Sequence, residues 1–359
     1  MSRILIAVLN WGLGHASRTL PIIEGALDLG WEVDVASAGD SLVWLKRRLK
    51  ERGDDMSRVA FFEKPGRVIE YNERGTMLKI AAQTPGLILS IIEEQKWTAK
   101  HVKDREVTRI FSDNCYGVFH PDVRSILMTH ILRLPVAKIL RPFAQISLRF
   151  MAGRFSEVWV PDVSPGPKSI SGELTSKEIH RKTTFVGILS RFDINDATKI
   201  NSLDRIPPLV GVVSGPEPHR TIMEEGLRKW MKHDGRSGVI IAGKPRNSER
   251  NEEDGVTTLY DPSDLEMRAY MSGADVVICR SGYSTLLDLV SLKSRAILIP
   301  TPGQAEQEEL AELWRVKFEY STCTQEDLAQ LNIPKNSGKT PDLVPNLIAL
   351  NELAVWLKN

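Results

Sequence analysis

The sequence predicts an α/β protein built as two parallel-sheet domains, and three features carry that expectation. Short apolar runs, each broken by a Gly-rich turn and followed by an amphipathic helix, recur in both halves of the chain. A polar stretch from Ser164 to Arg181, with Pro165-Gly166-Pro167 inside it, lies between those halves. The 359 residues, 42% of them hydrophobic, suffice for two cores rather than one.

Ile4 to Leu9 predicts the first strand. Its apolar run is far shorter than the roughly 20 residues a spanning helix needs, and it runs straight into a Gly-rich turn. That turn is Asn10-Trp11-Gly12-Leu13-Gly14-His15, after which Ala16 to Leu29 predicts a helix closed by Gly30, and Trp31 to Ala36 a second strand. The turn reads Gly-x-Gly-x-x-Ser with Asp34 twenty residues after Gly14, so an NAD(P)-dependent oxidoreductase is one alternative. The third glycine of that fingerprint is absent, and His15 stands where a small residue belongs. Phe61-Phe62 suggests a strand ahead of the Lys64-Pro65-Gly66 loop, and Thr76 to His101 reads as a long helix broken near Thr84-Pro85-Gly86.

Arg109-Ile110-Phe111 is a short strand that delivers Ser112-Asp113-Asn114-Cys115-Tyr116-Gly117 to a loop, and Ser125 to Thr129 is a strand that delivers His130. If these strands are parallel, both loops share a carboxyl edge with His15. His15, Asp113 and His130 are therefore the candidate catalytic residues, since a neutral imidazole can accept a proton near pH 7. A capping Asp113 and a buried, hydrogen-bonded His130 are the structural alternatives. Between Val123 and Ser156 there is no acidic residue. Arg124, Arg133, Lys138, Arg141, Arg149 and Arg154 alternate there with apolar residues such as Ile139, Phe143, Ile146 and Phe150, a pattern suited to an anionic surface. Val158 to Asp162 reads as the last strand of the first domain.

The second half opens with Pro207 to Val213, a strand ending in Ser214-Gly215-Pro216-Glu217-Pro218-His219-Arg220. The backbone amides of that turn, together with Arg220, suit a phosphate. Val239 to Gly243 and Thr257 to Tyr260 are the next strands. Val276-Val277-Ile278 then leads into Arg280-Ser281-Gly282 and a helix to Leu292, with Ser284 and Thr285 as caps. Ala296 to Ile299 ends in Pro300-Thr301-Pro302-Gly303, and acids open the helix beyond, where they favour its positive end. Two such turns in succession form a crevice at the carboxyl edge of a parallel sheet, where open α/β sheets bind nucleotides. Asp288 is expected there with its carboxylate exposed, accepting hydrogen bonds from vicinal ribose hydroxyls. Leu343 to Leu357 predicts a terminal helix.

Composition narrows the function. The formal charge of +1 disfavours nucleic acid as a partner. Cys115, Cys279 and Cys323 are scattered without paired spacing, which points to a reducing cytoplasm and away from disulfides or zinc. No Asp-x-Asp sequence is present to bridge a metal to a diphosphate, so no metal is expected.

Arg280-Ser281-Gly282, the acid at position 288, the following strand with Pro300, and the Gln307-Glu308 pair together resemble the donor-binding domain of family 28 glycosyltransferases. Their peptidoglycan N-acetylglucosaminyltransferases are the nearest parallel, and Asn10 to His15 is similar to the Gly-rich turn ending in His of the same family. The resemblance implies a GT-B fold, with two Rossmann-like domains facing a central cleft and a C-terminal helix returning to the first. Its domains would be 1–165 with 343–359, a linker and crossing at 166–206, and a donor domain at 207–342. It implies an inverting, metal-independent transfer of a hexosyl or N-acetylhexosaminyl group from a nucleotide-diphosphate sugar, UDP-linked, to an acceptor hydroxyl. No cofactor is implied beyond the donor itself. Gly12, Gly14, Ser214, Gly215, Arg220, Tyr260, Arg280, Ser281, Gly282, Asp288, Gln307 and Glu308 are the candidate donor-binding residues. In the family the acid is usually Glu and the pair is two Gln, so Asp288 and Glu308 depart from it and leave the sugar undefined. A lipid-linked or glycan acceptor and peripheral contact with an anionic membrane at its cytoplasmic face complete the expectation. A non-catalytic nucleotide-sugar-binding protein is the alternative outside enzymes.

Overall fold

A computed structural model describes residues 2–53, 56–66, 77–136, 138–192, 206–247, 249–335 and 338–358. The chain divides into two units, the first taking Met1–Ile69, Met77–Leu189 and Asn346–Asn359, the second Ser190–Pro345 with a short earlier piece. The first unit runs β1 (Arg3–Val8), α1 (Leu13–Asp28), β2 (Glu32–Ser37), α2 (Gly39–Arg52), β3 (Val59–Glu63) and α3 (Met77–Arg105). It continues through β4 (Arg109–Asp113), β5 (Arg124–Met128), α4 (Arg141–Ala152), β6 (Glu157–Val160) and β7 (Thr183–Phe185). Its seven strands are ordered β3-β2-β1-β4-β5-β6-β7, all parallel. The order reverses direction between β1 and β4, the position where a parallel sheet opens a crevice at its carboxyl edge.

Parallel strands are covered on both faces, which explains why β1 is buried from Ile4 to Val8 rather than alternating. Helix α1 is likewise buried from Ala16 to Ile23, because α2 and the terminal helix pack against it. That terminal helix, α9 (Leu347–Lys358), belongs to the first unit and seats Ala349, Leu353 and Trp356 in a core with Ile22 and Ile23. Gly25 makes the close approach possible. A Cβ there would lie 2.6 Å from Leu350 Cδ2 and 3.2 Å from Leu353 Cδ2.

The second unit runs β8 (Leu209–Val212), α5 (His219–Asp234), β9 (Gly238–Ile241), β10 (Arg250–Glu253), β11 (Val256–Leu259) and α6 (Asp264–Gly273). It ends with β12 (Val276–Cys279), α7 (Tyr283–Leu292), β13 (Ala296–Leu298), α8 (Ala305–Lys317) and β14 (Ser321–Thr322). The sheet order is β10-β11-β9-β8-β12-β13-β14, with only β10 antiparallel among the described strands. Its reversal falls between β8 and β12, which sets the turns after those strands side by side. The two sheets together make the fold the GT-B architecture of two Rossmann-like α/β domains.

Several local expectations change. Helix α3 is continuous through Thr84-Pro85-Gly86. A proline forfeits one backbone bond and costs about 3 kcal/mol in a helix interior, and the later turns are held by buried Glu94, Thr98 and His101. The first unit extends to Leu189, so β7 falls inside the range given to a linker, of which 193–205 lie outside the described residues. Ser284 and Thr285 do not cap α7, because the helix begins one residue earlier and its N-cap is Gly282.

Candidate functional site

In the first unit the three candidate residues converge on one buried arginine. Asp113 closes β4, in register with Val8 and Met128, and its side chain is fully buried. It accepts hydrogen bonds from Arg18 Nε at 2.9 Å and Thr19 Oγ1 at 2.8 Å, and it pairs with Arg18 Nη2 as well. Arg18 Nη1 lies 2.9 Å from His130 Nδ1, and Nη2 lies 2.9 Å from His15 Nδ1. A guanidinium only donates, so the His130 Nδ1 accepts there. Arg18 was not among the predicted residues. Its place in the sequence, one helical turn after His15, is the one hint; the structure adds that the helix is buried from Ala16 to Ile23, where a charge survives only with a partner.

His15 lies in the first turn of α1, after Gly12, whose φ of +88° favours glycine. Gly14 lies in the same turn. His15 is 15% exposed, and its Nδ1 is 3.2 Å from Asp113 Oδ1. Nδ1 thus faces two competing partners, Arg18 Nη2, which can only donate, and Asp113 Oδ1, which can only accept; in the tautomer that donates to Asp113, Nδ1 forgoes the guanidinium. This tautomer leaves Nε2 with a lone pair. Burial, reinforced by the Arg18 charge, lowers the His15 imidazole below its ordinary value, so it is neutral at pH 7. Burial alone would raise Asp113, but Arg18 and His15 hold it well below the usual carboxylate range. A neutral imidazole oriented by an ionised acid is the arrangement of a general base.

Asp34, the acid of the alternative dinucleotide fingerprint, is committed elsewhere. It sits in the middle of β2, buried, and accepts from Arg3 Nη1 at 3.0 Å, His101 Nε2 at 2.9 Å and Arg105 Nε at 3.1 Å. No ribose could reach it without breaking that cluster.

In the second unit the turns after β8, β12 and β13 meet. Ser281 Oγ donates to the Gln307 carbonyl at 2.7 Å, and Gln307 Oε1 accepts from Thr301 N at 2.9 Å. Gln307 Nε2 donates to Gln304 Oε1 at 2.5 Å, and Glu308 Oε1 accepts from Gly303 N at 3.0 Å. Gly215 has a φ of +100°, and a Cβ on it would lie 3.7 Å from Thr301 Oγ1. Ser214, Gly215, Ser281, Gly282, Gln307 and Glu308 thus share one edge. Thr301, unpredicted, is fully buried there with a hydroxyl that has no hydrogen-bond partner among the described residues. Gly282 offers no side chain to satisfy the first amides of α7, which leaves that helix start suited to an anion. Tyr260 follows β11 at the same edge, under Lys244, whose Nζ is 5.2 Å from the ring centroid.

Two of the candidate donor-binding residues, both arginines, are held by the protein's own groups. Arg280 turns inward, donating to the carbonyls of His219 at 2.8 Å, Pro300 at 3.2 Å and Ile299 at 3.3 Å, and to Gln325 Oε1. It ties the loop before α8 to the start of α5, and burial lowers its guanidinium to about 10. Arg220 is paired with Glu217, its Nε 2.9 Å from Oε1, while Nη1 donates to the Gly243 carbonyl at 3.0 Å. An anion at this edge would therefore meet backbone amides rather than these two side chains.

Asp288 is placed on α7 as expected, but its carboxylate is not exposed. It is 5% accessible, and Ser190 Oγ donates to its Oδ1 at 2.7 Å. Arg191 Nε stands 3.9 Å from Oδ2. Burial raises the Asp288 carboxyl to about 6, against the opposing pull of Arg191 and Ser190.

Residues 221–334 match the Glycosyltransferase family 28 C-terminal domain. The structure is similar to a glycotransferase of kitacinnamycin, at 13% identity and a TM-score of 0.59, covering 98% of this chain and 90% of that one. It is similar to UGT89C1 of Arabidopsis thaliana, solved with UDP-L-rhamnose, at 12% identity and a TM-score of 0.56, covering 98% and 88%. MurG of Acinetobacter baumannii shares 14% identity and a TM-score of 0.50, covering 100% and 91%. No curated protein matches the chain.

Proposed function

We propose that this protein is an inverting glycosyltransferase that moves a hexosyl or N-acetylhexosaminyl group from a UDP-linked sugar to an acceptor hydroxyl. The observation that carries this reading is the cluster of Ser281, Gly282 and Gln307 at the switch point of the second sheet, within the stretch that matches the family 28 domain. A UDP-sugar in one structural neighbour supports the pyrimidine diphosphate. In the first unit, His15 Nε2 removes the acceptor proton while Asp113 holds the ring and stabilises the imidazolium that forms. The acceptor oxygen attacks the anomeric carbon as the bond to the diphosphate breaks, and the amides opening α7 stabilise the departing charge. His130, anchored to Arg18, orients that guanidinium rather than serving as base.

The donor half is tested by thermal shift across UDP, GDP, NAD and their sugar derivatives, since a ligand that binds the folded state raises its melting temperature. UDP and UDP-sugars should stabilise most, and the shift should persist in a chelator. Strict dependence on magnesium or manganese, or a response to NAD alone, overturns the reading.

The acceptor is read as lipid-linked, on the strength of α4. This helix buries Leu148 and Ala152 but leaves Phe143 72%, Ile146 64% and Phe150 66% exposed, with Ile139 just before it at 81%. The charged side chains from Lys138 to Arg154 are all cationic. Among the described residues no helix is long and apolar enough to cross a membrane, so this face would lie on the surface. Co-sedimentation with anionic vesicles is expected at low salt and should fall toward physiological salt, as charge attraction decays within about 8 Å there. No sedimentation at low salt would move the acceptor into solution.

A further inference from the structure

Asp288 makes fewer hydrogen bonds than its carboxylate can take. An ionised carboxylate has about four acceptor positions, yet among the described residues one hydrogen bond reaches Asp288, from Ser190 Oγ. The Arg191 Nε, 3.9 Å from Oδ2, stands beyond hydrogen-bond reach, while its Nη1 pairs with Asp264 at 3.0 Å. Ser190 Oγ in turn accepts from Phe192 N at 3.1 Å, so its single proton is directed to Asp288. Ser190 is fully buried and is the residue at which the second unit begins. A short hydroxyl-to-carboxylate bond between two buried groups is the same kind of bond a ribose hydroxyl would make.

We propose that the Ser190 hydroxyl is a stand-in for a ribose hydroxyl, occupying Asp288 until a nucleotide displaces it. This rests on the reading of Asp288 as the ribose acceptor. A vicinal diol brings two donors and more than replaces the one bond lost. A ribose lacking one hydroxyl brings a single donor and only breaks even. The bond lost is the same whichever nucleotide binds, so Ser190 lowers affinity for ribo and deoxyribo forms by the same factor and sets how tightly the site holds any nucleotide.

Isothermal titration with UDP and 2′-deoxy-UDP tests this on four forms of the full chain: wild type, Ser190→Ala, Asp288→Asn and the double variant. Ser190→Ala should bind UDP about tenfold more tightly, the scale of one hydrogen bond to a charged group, and should gain by a similar factor for the deoxy form. In the Asp288→Asn background the gain should shrink, because a neutral amide oxygen holds the serine more weakly than a carboxylate does, a dependence a merely structural serine would not produce. Ser190→Cys, a weaker donor of similar size, should gain less with the same sign, and it keeps the test open if alanine impairs folding. Equal or weaker UDP binding by folded Ser190→Ala and Ser190→Cys overturns the competition. If Asp288→Asn leaves UDP affinity unchanged, the ribose reading itself fails and the proposal falls with it.

Discussion

His15→Ala should lower turnover by about a hundredfold or more, the usual scale for a positioned base, while UDP affinity barely changes. The separation follows from where the groups sit: His15 and Asp113 belong to the first unit, the donor edge to the second. The pH profile supplies an independent readout. His15 is shifted below its ordinary 6.5, first by burial and then by Arg18, so the acid limb of kcat/KM should lie below pH 6.5. Turnover should be flat through neutrality, where the imidazole is already neutral. In His15→Ala that limb should disappear along with the rate. Retained turnover with only a lowered melting temperature would make His15 a structural residue, packed against Asp113 and Arg18.

The residues that sequence placed well are those whose backbone position alone defines them. Gly12, Gly215 and Gly282 mark strand-to-helix turns, and the strands behind them follow from short apolar runs buried on both faces. The parallel order then brings His15, Asp113 and His130 to one edge without any knowledge of side chains. Strand β10 had no such signal, because Arg250-Asn251-Glu252-Glu253 is exposed throughout and pairs only at the sheet margin. Charged residues were harder still. The place of Arg220 and Arg280 in the turns points to donor binding, yet sequence does not show that Glu217 and a set of carbonyls already hold them. Arg18 went unseen for the converse reason, since its partners are three residues that are far apart or only one turn away in the chain.

Asp288→Asn should weaken UDP by about one to two powers of ten, as loss of a charged acceptor for two hydroxyls implies, and should also raise stability at neutral pH. The two effects have one origin. Burial raises the Asp288 carboxyl from 3.8 to about 6, so the folded chain holds this proton more tightly than the unfolded chain does. Its contribution to stability is therefore fully present below pH 3.8 and is lost as pH rises through about 6. At pH 7 the wild type carries a buried charge at a cost on the order of a few kcal/mol, offset in part by Ser190 and Arg191. Asparagine removes that cost and keeps an oxygen to accept from Ser190. The melting-temperature gap between variant and wild type should thus be widest at pH 7 and close toward pH 4. Saturating UDP should narrow it again at pH 7, since the ribose hydroxyls satisfy the charge only in the wild type. The 2′-deoxy nucleotide is the control, lacking a hydroxyl that Asp288 is expected to bind. Equal wild-type affinity for the ribo and deoxyribo forms, together with no stability gain in Asp288→Asn at neutral pH, would remove Asp288 from the donor site and from the burdens of the fold alike.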